Sequence, residues 1–185
     1  MAQTFLNLAQ GVTGTLPTSN YTSGISQYQQ WRLTVNTLNT NQPNAFITSN
    51  LEIVDTNAPQ TLGSNMTQSS GVFTFPSTGV YQITYTGNAY GPSDEDDRGV
   101  NFSIYTTTDN SNYSISSTVK QVMLWTPNSN AFYCTASIYA VFDVTDTSTH
   151  KCKFGWGSSQ GSSIYLRGST SESQTSFQFM KLGDT

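Results

Sequence analysis

The residues of this chain that could do chemistry are few and scattered. The densest group is Asp94-Glu95-Asp96-Asp97, the only acidic cluster, set between Pro92 and Arg98. Hard cations gather many oxygen ligands, so four adjacent carboxylates could seed a calcium site, although EF-hand spacing is missing. The competing reading is a solvated loop tip with Arg98 as partial counter-ion. His150 is the only histidine, which leaves neither a zinc cluster nor a Ser/His/Asp triad with a spare base. Lys151 and Lys153 flank Cys152, and nearby cations lower a thiol's pKa. The alternation nevertheless favours a strand start with Lys outward and Cys inward. Glu52 and Glu172 have no Asp at a spacing that suggests a glycosidase pair. Neither a P-loop nor a dinucleotide fingerprint occurs. No catalytic residue is expected, and no cofactor other than calcium.

Aromatic side chains offer binding rather than bond-breaking. Tyr90, Tyr113, Trp125 and Trp156 are candidates to stack on the apolar faces of sugars beside amide and hydroxyl partners. In a β fold such residues more often fill the core or an interface. Cys134 and Cys152 are too few for a disulfide framework. If 133–144 and 150–156 form a hairpin, Cys152 faces about Asp143 and Cys134 lies out of reach, which leaves two free thiols. Sequons start at Asn20, Asn65, Asn101 and Asn112, as a chain so rich in Asn, Ser and Thr produces by chance.

The elements that must position these groups are strands. Charged residues make up 10% of the 185 residues, against about 25% in a typical domain. Ser, Thr and Asn fill more than a third of the chain, beside ten Tyr, ten Phe and three Trp. This composition suits pleated, half-buried surfaces with a polar face of hydroxyls and amides. Net charge is −4 and no basic run exists, so a nucleic-acid partner is not expected. No apolar stretch reaches the ~20 residues of a membrane helix, so membrane insertion is not expected. The opening Met-Ala-Gln-Thr-Phe-Leu-Asn-Leu lacks the basic start and apolar run of a signal peptide.

Residues 1–44 read as an extended arm. They carry Gly11, Gly14, Pro17 and Gly24 and a broken apolar series, Phe5, Leu6, Leu8, Val12 and Leu16, with a strand admissible at Trp31–Leu38. From residue 45 the strand signals become regular, and 45–185 read as one domain. Tyr81, Ile83 and Tyr85 alternate with Gln82, Thr84 and Thr86, a period of two. Val100–Tyr105, Tyr113–Trp125, Tyr133–Val144, His150–Trp156, Ile164–Arg167 and Ser176–Leu182 follow, separated by turn clusters. Two strands are apolar on both faces, through Tyr139, Val141, Met180 and Leu182. A second layer or a subunit interface must cover the extra face.

Gly71-Val72-Phe73-Thr74-Phe75-Pro76-Ser77-Thr78-Gly79-Val80-Tyr81 resembles the signature of the complement globular-head and tumour-necrosis-factor superfamily, Gly-x-Phe-x-x-Pro-x-x-Gly-x-Tyr. Pro and Gly make the turn, and the aromatics fill the sandwich. Ser173–Leu182 is similar to that family's last strand, with Gln178 where a Gly often stands. The resemblance implies an all-β, ten-stranded jelly-roll sandwich, here with an extended N-terminal arm. It also implies a homotrimer, with Tyr139, Val141, Phe177, Phe179 and Met180 at the three-fold interface. Residues 2–17 resemble the start of small structural proteins of tailed marine phages, where such jelly rolls serve as capsid decorations, knobs and fibre tips. The implied role is a non-enzymatic virion surface protein, a capsid decoration or head or tail fibre component. Its arm would dock on other virion proteins through Phe5, Leu6, Leu8, Val12 and Leu16. The alternative is a receptor- or glycan-binding module for host attachment.

Overall fold

A computed structural model of the chain describes residues 24–40, 44–57, 61–92, 99–122, 131–158 and 163–185. Every regular element among them is a strand: β1 (Gln27–Leu33), β2 (Thr37–Thr40), β3 (Ala45–Phe46), β4 (Leu51–Ile53), β5 (Thr67–Ser69), β6 (Val72–Thr74), β7 (Gly79–Pro92), β8 (Val100–Thr107), β9 (Ser114–Gln121), β10 (Ala131–Val144), β11 (Lys151–Ser158), β12 (Ser163–Leu166) and β13 (Ser176–Gly183). These are thirteen strands where ten were expected. Several, such as β3 and β4, are only two or three residues long and leave little periodicity to read.

Strand β7 is the spine of the first sheet. Its odd-numbered residues are buried and its even-numbered ones half-buried along the whole length, as the Tyr81–Thr86 alternation predicts. One edge pairs with all of β10, from Gly79↔Val144 to Pro92↔Ala131. The other edge takes β13 along its first half and β12 near its end. β1 and β4 extend the sheet beyond β13, and β2 extends it beyond β12. The second sheet runs β5-β6-β11-β8-β9, with β3 also on β11. Neighbouring strands in both sheets are antiparallel.

The inner faces close on an aromatic core. Phe154 lies 4.4 Å from Phe177, Phe73 packs edge-on to Trp31 at 5.3 Å, and Tyr85 stacks on Phe177 at 5.1 Å. Burying each such side chain stabilises the fold by roughly 1.5–3 kcal/mol. The Pro76–Gly79 segment does lie between two strands, but it carries the chain from β6 in the second sheet to β7 in the first. Ser70 and Gly71 both have positive φ, 49° and 78°, which suits the tight β5–β6 hairpin. Tyr81 closes the next turn, its hydroxyl donating to Gln27 Oε1 at 3.0 Å and lying 2.9 Å from that of Ser77.

Two expectations change. The domain does not begin at residue 45, because β1 lies inside the first sheet between β13 and β4, with Trp31 and Leu33 in the core. An arm can therefore comprise at most the residues before β1, and its candidate anchors Phe5, Leu6, Leu8, Val12 and Leu16 lie outside the described residues. Nor do β10 and β11 form a hairpin. β10 belongs to the first sheet and β11 to the second. Cys134 and Cys152 form no disulfide with each other all the same.

Candidate functional site on the outer face of the first sheet

The register of the first sheet lines its outward residues up in rows. Val141, Gln82, Met180 and Tyr28 form one row across β10, β7, β13 and β1. Tyr139, Thr84, Gln178 and Gln30 form the next. Ser137 and Thr86 follow, their hydroxyls hydrogen-bonded at 2.7 Å. Towards the other end, Tyr133, Tyr90, Tyr165 and Leu38 stand opposite one another across β10, β7, β12 and β2. The Tyr90 ring lies 5.8 Å from Tyr133 and 5.1 Å from Tyr165, with interplanar angles of 26° and 17°. The Arg167 guanidinium sits 5.2 Å over the Tyr133 ring.

These rows carry almost no charge. Tyr139 and Val141 are 66% and 59% exposed, on a strand whose partner residues are Thr84 and Gln82. The β1–β4 flank is closed differently. There Arg32 is buried and ion-paired with Glu52 at 2.7 Å and Asp55 at 2.8 Å. Removing one partner of such a pair would strand a buried charge.

No family model matches the chain, and no curated protein does. Solved structures do. Murine APRIL at pH 5.0 aligns over 84% of this chain and 98% of its own with a TM-score of 0.56 and 10% identity. The same protein at pH 8.5 gives a TM-score of 0.53 at the same identity and coverage. Eiger TNF from S. frugiperda aligns over 85% of this chain and 93% of its own, with a TM-score of 0.50 and 12% identity. The fold is a tumour-necrosis-factor-like jelly roll. At such identities the likeness is one of fold, and function must be argued from this chain's own residues.

Within the TNF-like jelly roll, the residues singled out in the sequence fall into three places. Tyr139, Val141 and Met180 lie on the outer face, Met180 half-buried. Phe177 and Phe179 do not. Both are 0% exposed and point into the core, because they alternate with outward Gln178 and Met180 along β13. They cannot contribute to an intersubunit surface. Trp156 is likewise a core residue at 1% exposure, which removes it from the ligand-binding candidates. Tyr90 belongs to the row just described. Tyr113 is on the far side, where Lys153 Nζ is held between the Phe46 and Tyr113 rings at 3.6 and 3.9 Å. Desolvation there lowers the lysine's pKa and raises that of Tyr113. Trp125 and Asp94, Glu95, Asp96 and Asp97 lie outside the described residues. Among the described residues, no three His, Cys, Asp or Glu side chains gather as metal ligands.

The reactive-group candidates have structural partners. His150 is buried between the hydroxyls of Thr145 and Thr149, at 3.2 and 3.1 Å, with its ring tilted against Phe142. Burial pushes the Cys152 thiol far up, the opposite of an activated thiolate. Lys151 donates to the Thr147 carbonyl at 2.6 Å and to Thr74 Oγ1 at 3.0 Å. Glu52 pairs with Arg32, and Glu172 accepts from Gln174. Among the described residues no helix is long and apolar enough to cross a membrane.

Sequence reasoning missed Tyr133, Tyr165, Leu38 and Arg167 as one group. Each strand showed its own alternation, but β10, β7, β12 and β2 are distant in the chain. Only their register brings these residues into line.

Proposed function

We propose that this TNF-like jelly roll is a non-enzymatic display protein. It self-associates as a homotrimer through the outer face of the first sheet. It is carried on the surface of a virus particle, as a capsid decoration or a head or tail fibre component of a tailed phage. The observation that carries the self-association is the pair Tyr139 and Val141, large, apolar and mostly exposed on an almost uncharged sheet face. A long exposed edge strand with apolar residues is a surface proteins normally cover. The virion setting is supported by residues 2–17 and by a polar face of hydroxyls and amides. Residues 1–23 are the proposed anchor to other virion proteins.

The test is the solution mass of the purified chain by light scattering. The reading expects three times the 20.2 kDa of one chain. Val141→Asp, which places a charge on the proposed contact, should return it to a single-chain mass while circular dichroism stays that of a β protein. A wild-type monomer at micromolar concentration would overturn the trimer. Deleting residues 1–20 should then abolish attachment to particles and leave the mass per assembly otherwise trimeric.

A second reading, host attachment through a glycan or other receptor, is favoured by the tyrosine row at the far end of the same face. It is compatible with the first, because a displayed surface protein can also bind.

A further inference from the structure

We propose that the Tyr133–Tyr90–Tyr165 row, with Arg167 and Leu38, is an oligosaccharide-binding platform. The proposal deepens the attachment reading above and rests on it for its setting, though the platform itself needs only one chain.

Three tyrosines directly opposed on adjacent strands is an arrangement the register imposes. Their rings stack nearly parallel, at 5.8 and 5.1 Å. Stacked rings hold one another's rotamers, so little side-chain freedom remains to be lost when a ligand settles on them. Tyr133, at the sheet edge, is 59% exposed, and Leu38 at the other end is also exposed. The row thus combines aromatic surface, a line of phenols and one guanidinium. A sugar ring matches this chemistry, with an apolar face for the aromatic surface the stack leaves exposed, chiefly that of Tyr133, and hydroxyls for the phenols and for Arg167. The guanidinium can serve either a sugar hydroxyl or a sugar carboxylate, the latter more strongly.

Two observations separate this row from the proposed subunit contact. Tyr139 lies six residues along β10 from Tyr133, roughly 20 Å at strand rise. Between them on β10 are Thr135 and Ser137, with Asn88 and Thr86 opposite. The row also stands at the end where β2, β7, β9 and β11 finish and β3, β8, β10 and β12 begin. Gly24 and the C-terminal residues 182–184 meet at the opposite end, around one shallow depression. A chain anchored through its N-terminal residues would therefore present the tyrosine row outward, where a sandwich's binding function usually resides.

The experiment uses the full chain on a printed array of neutral and acidic oligosaccharides, with hits measured by calorimetry. The expected result is binding to at least one oligosaccharide, weakened about tenfold by Tyr133→Ala, with solution mass and melting temperature unchanged. Tyr133→Phe, which keeps the ring, should lose less. Arg167→Ala should weaken acidic ligands more than neutral ones if the guanidinium reads a carboxylate, and both alike if it reads a hydroxyl. A silent array with folded protein overturns the proposal, as does binding that ignores Tyr133→Ala. So does a Tyr133→Ala chain that changes oligomeric mass, which would make the row a subunit contact. Val141→Asp separates the two readings. A monomer that still binds sugar sinks nothing here, whereas a wild-type monomer that binds sugar removes the trimer and leaves the platform.

Discussion

Gly87 interrupts the inward run of β7 between Tyr85 and Ala89, and ring atoms of Phe102 stand where its Cβ would go. The residue is not there for flexibility but for the space it leaves to an aromatic from the facing sheet. Gly87→Val should therefore cost ~1–3 kcal/mol through overpacking. The check is a urea denaturation midpoint that falls with an unchanged slope. A surface turn gives a different kind of residue-scale prediction. Asp109 accepts from the Asn112 side chain and backbone at 2.7 Å, from the Thr107 hydroxyl at 2.7 Å and from the Ser111 amide at 2.9 Å. These bonds, the Asn112 side chain first, hold its pKa below the usual aspartate range. A carboxyl whose pKa falls on folding stabilises the fold above its unfolded pKa, and that contribution is lost as pH drops through the folded value. The wild type should thus outlast Asp109→Ala in thermal melts at pH 7, with the gap starting to narrow below about pH 4. A gap independent of pH would show that the carboxylate's charge is not what holds the β8–β9 turn.

At the scale of elements, the sequence was most legible where a strand is long and buried on one face. β7 and β10 announce themselves by alternation, and the Gly71–Tyr81 motif puts Phe73, Phe75 and Tyr81 in the core as the residues say it should. β1 was less legible. Gln27, Gln29 and Arg32 are buried polar residues in it, so no apolar period marks it as a central strand: Gln27 donates to the Ser64 carbonyl, Gln29 Oε1 accepts from Trp31 and Met66 while its Nε2 has no partner among the described residues, and Arg32 pairs with the Glu52 and Asp55 carboxylates. The two sides of β13 misled for the opposite reason. Phe177, Phe179 and Met180 look equally apolar in sequence, yet strict alternation sends the first two inward and the third outward. The tyrosine row was illegible because it is made of register, which connects segments far apart in the chain. The corrected boundary predicts that a chain starting at Gly24 folds cooperatively, whereas one starting at Ala45 does not. Removing β1 exposes one edge of β13, empties the places of Trp31 and Leu33, and leaves Glu52 without its buried guanidinium. Circular dichroism melts of the two truncations decide it, and a cooperative transition from the shorter chain would restore the boundary at residue 45.

For the whole molecule, the two long strands run about 45 Å from the end where Gly24 and residues 182–184 meet to the end that carries the tyrosine row. On the proposed reading that polarity keeps three jobs apart: attachment at one end, assembly along the outer face, recognition at the other end. The assembly step has a thermodynamic signature that the mass alone does not provide. If the native state is a trimer and the unfolded state a monomer, mass action makes the melting temperature rise with protein concentration. In that case Tyr139 and Val141, exposed in the single chain, would be buried only in the assembly, so the dependence should vanish in Val141→Asp, whose melting temperature should match the low-concentration limit of the wild type. A melt series over a hundredfold range of concentration tests this. A wild type whose melting temperature is flat across the series, together with a Val141→Asp chain no less stable, would mean that these two side chains stay in water. The outer face would then be free along its whole length, and the tyrosine row would be one part of a larger open binding surface rather than a platform set apart from a subunit contact.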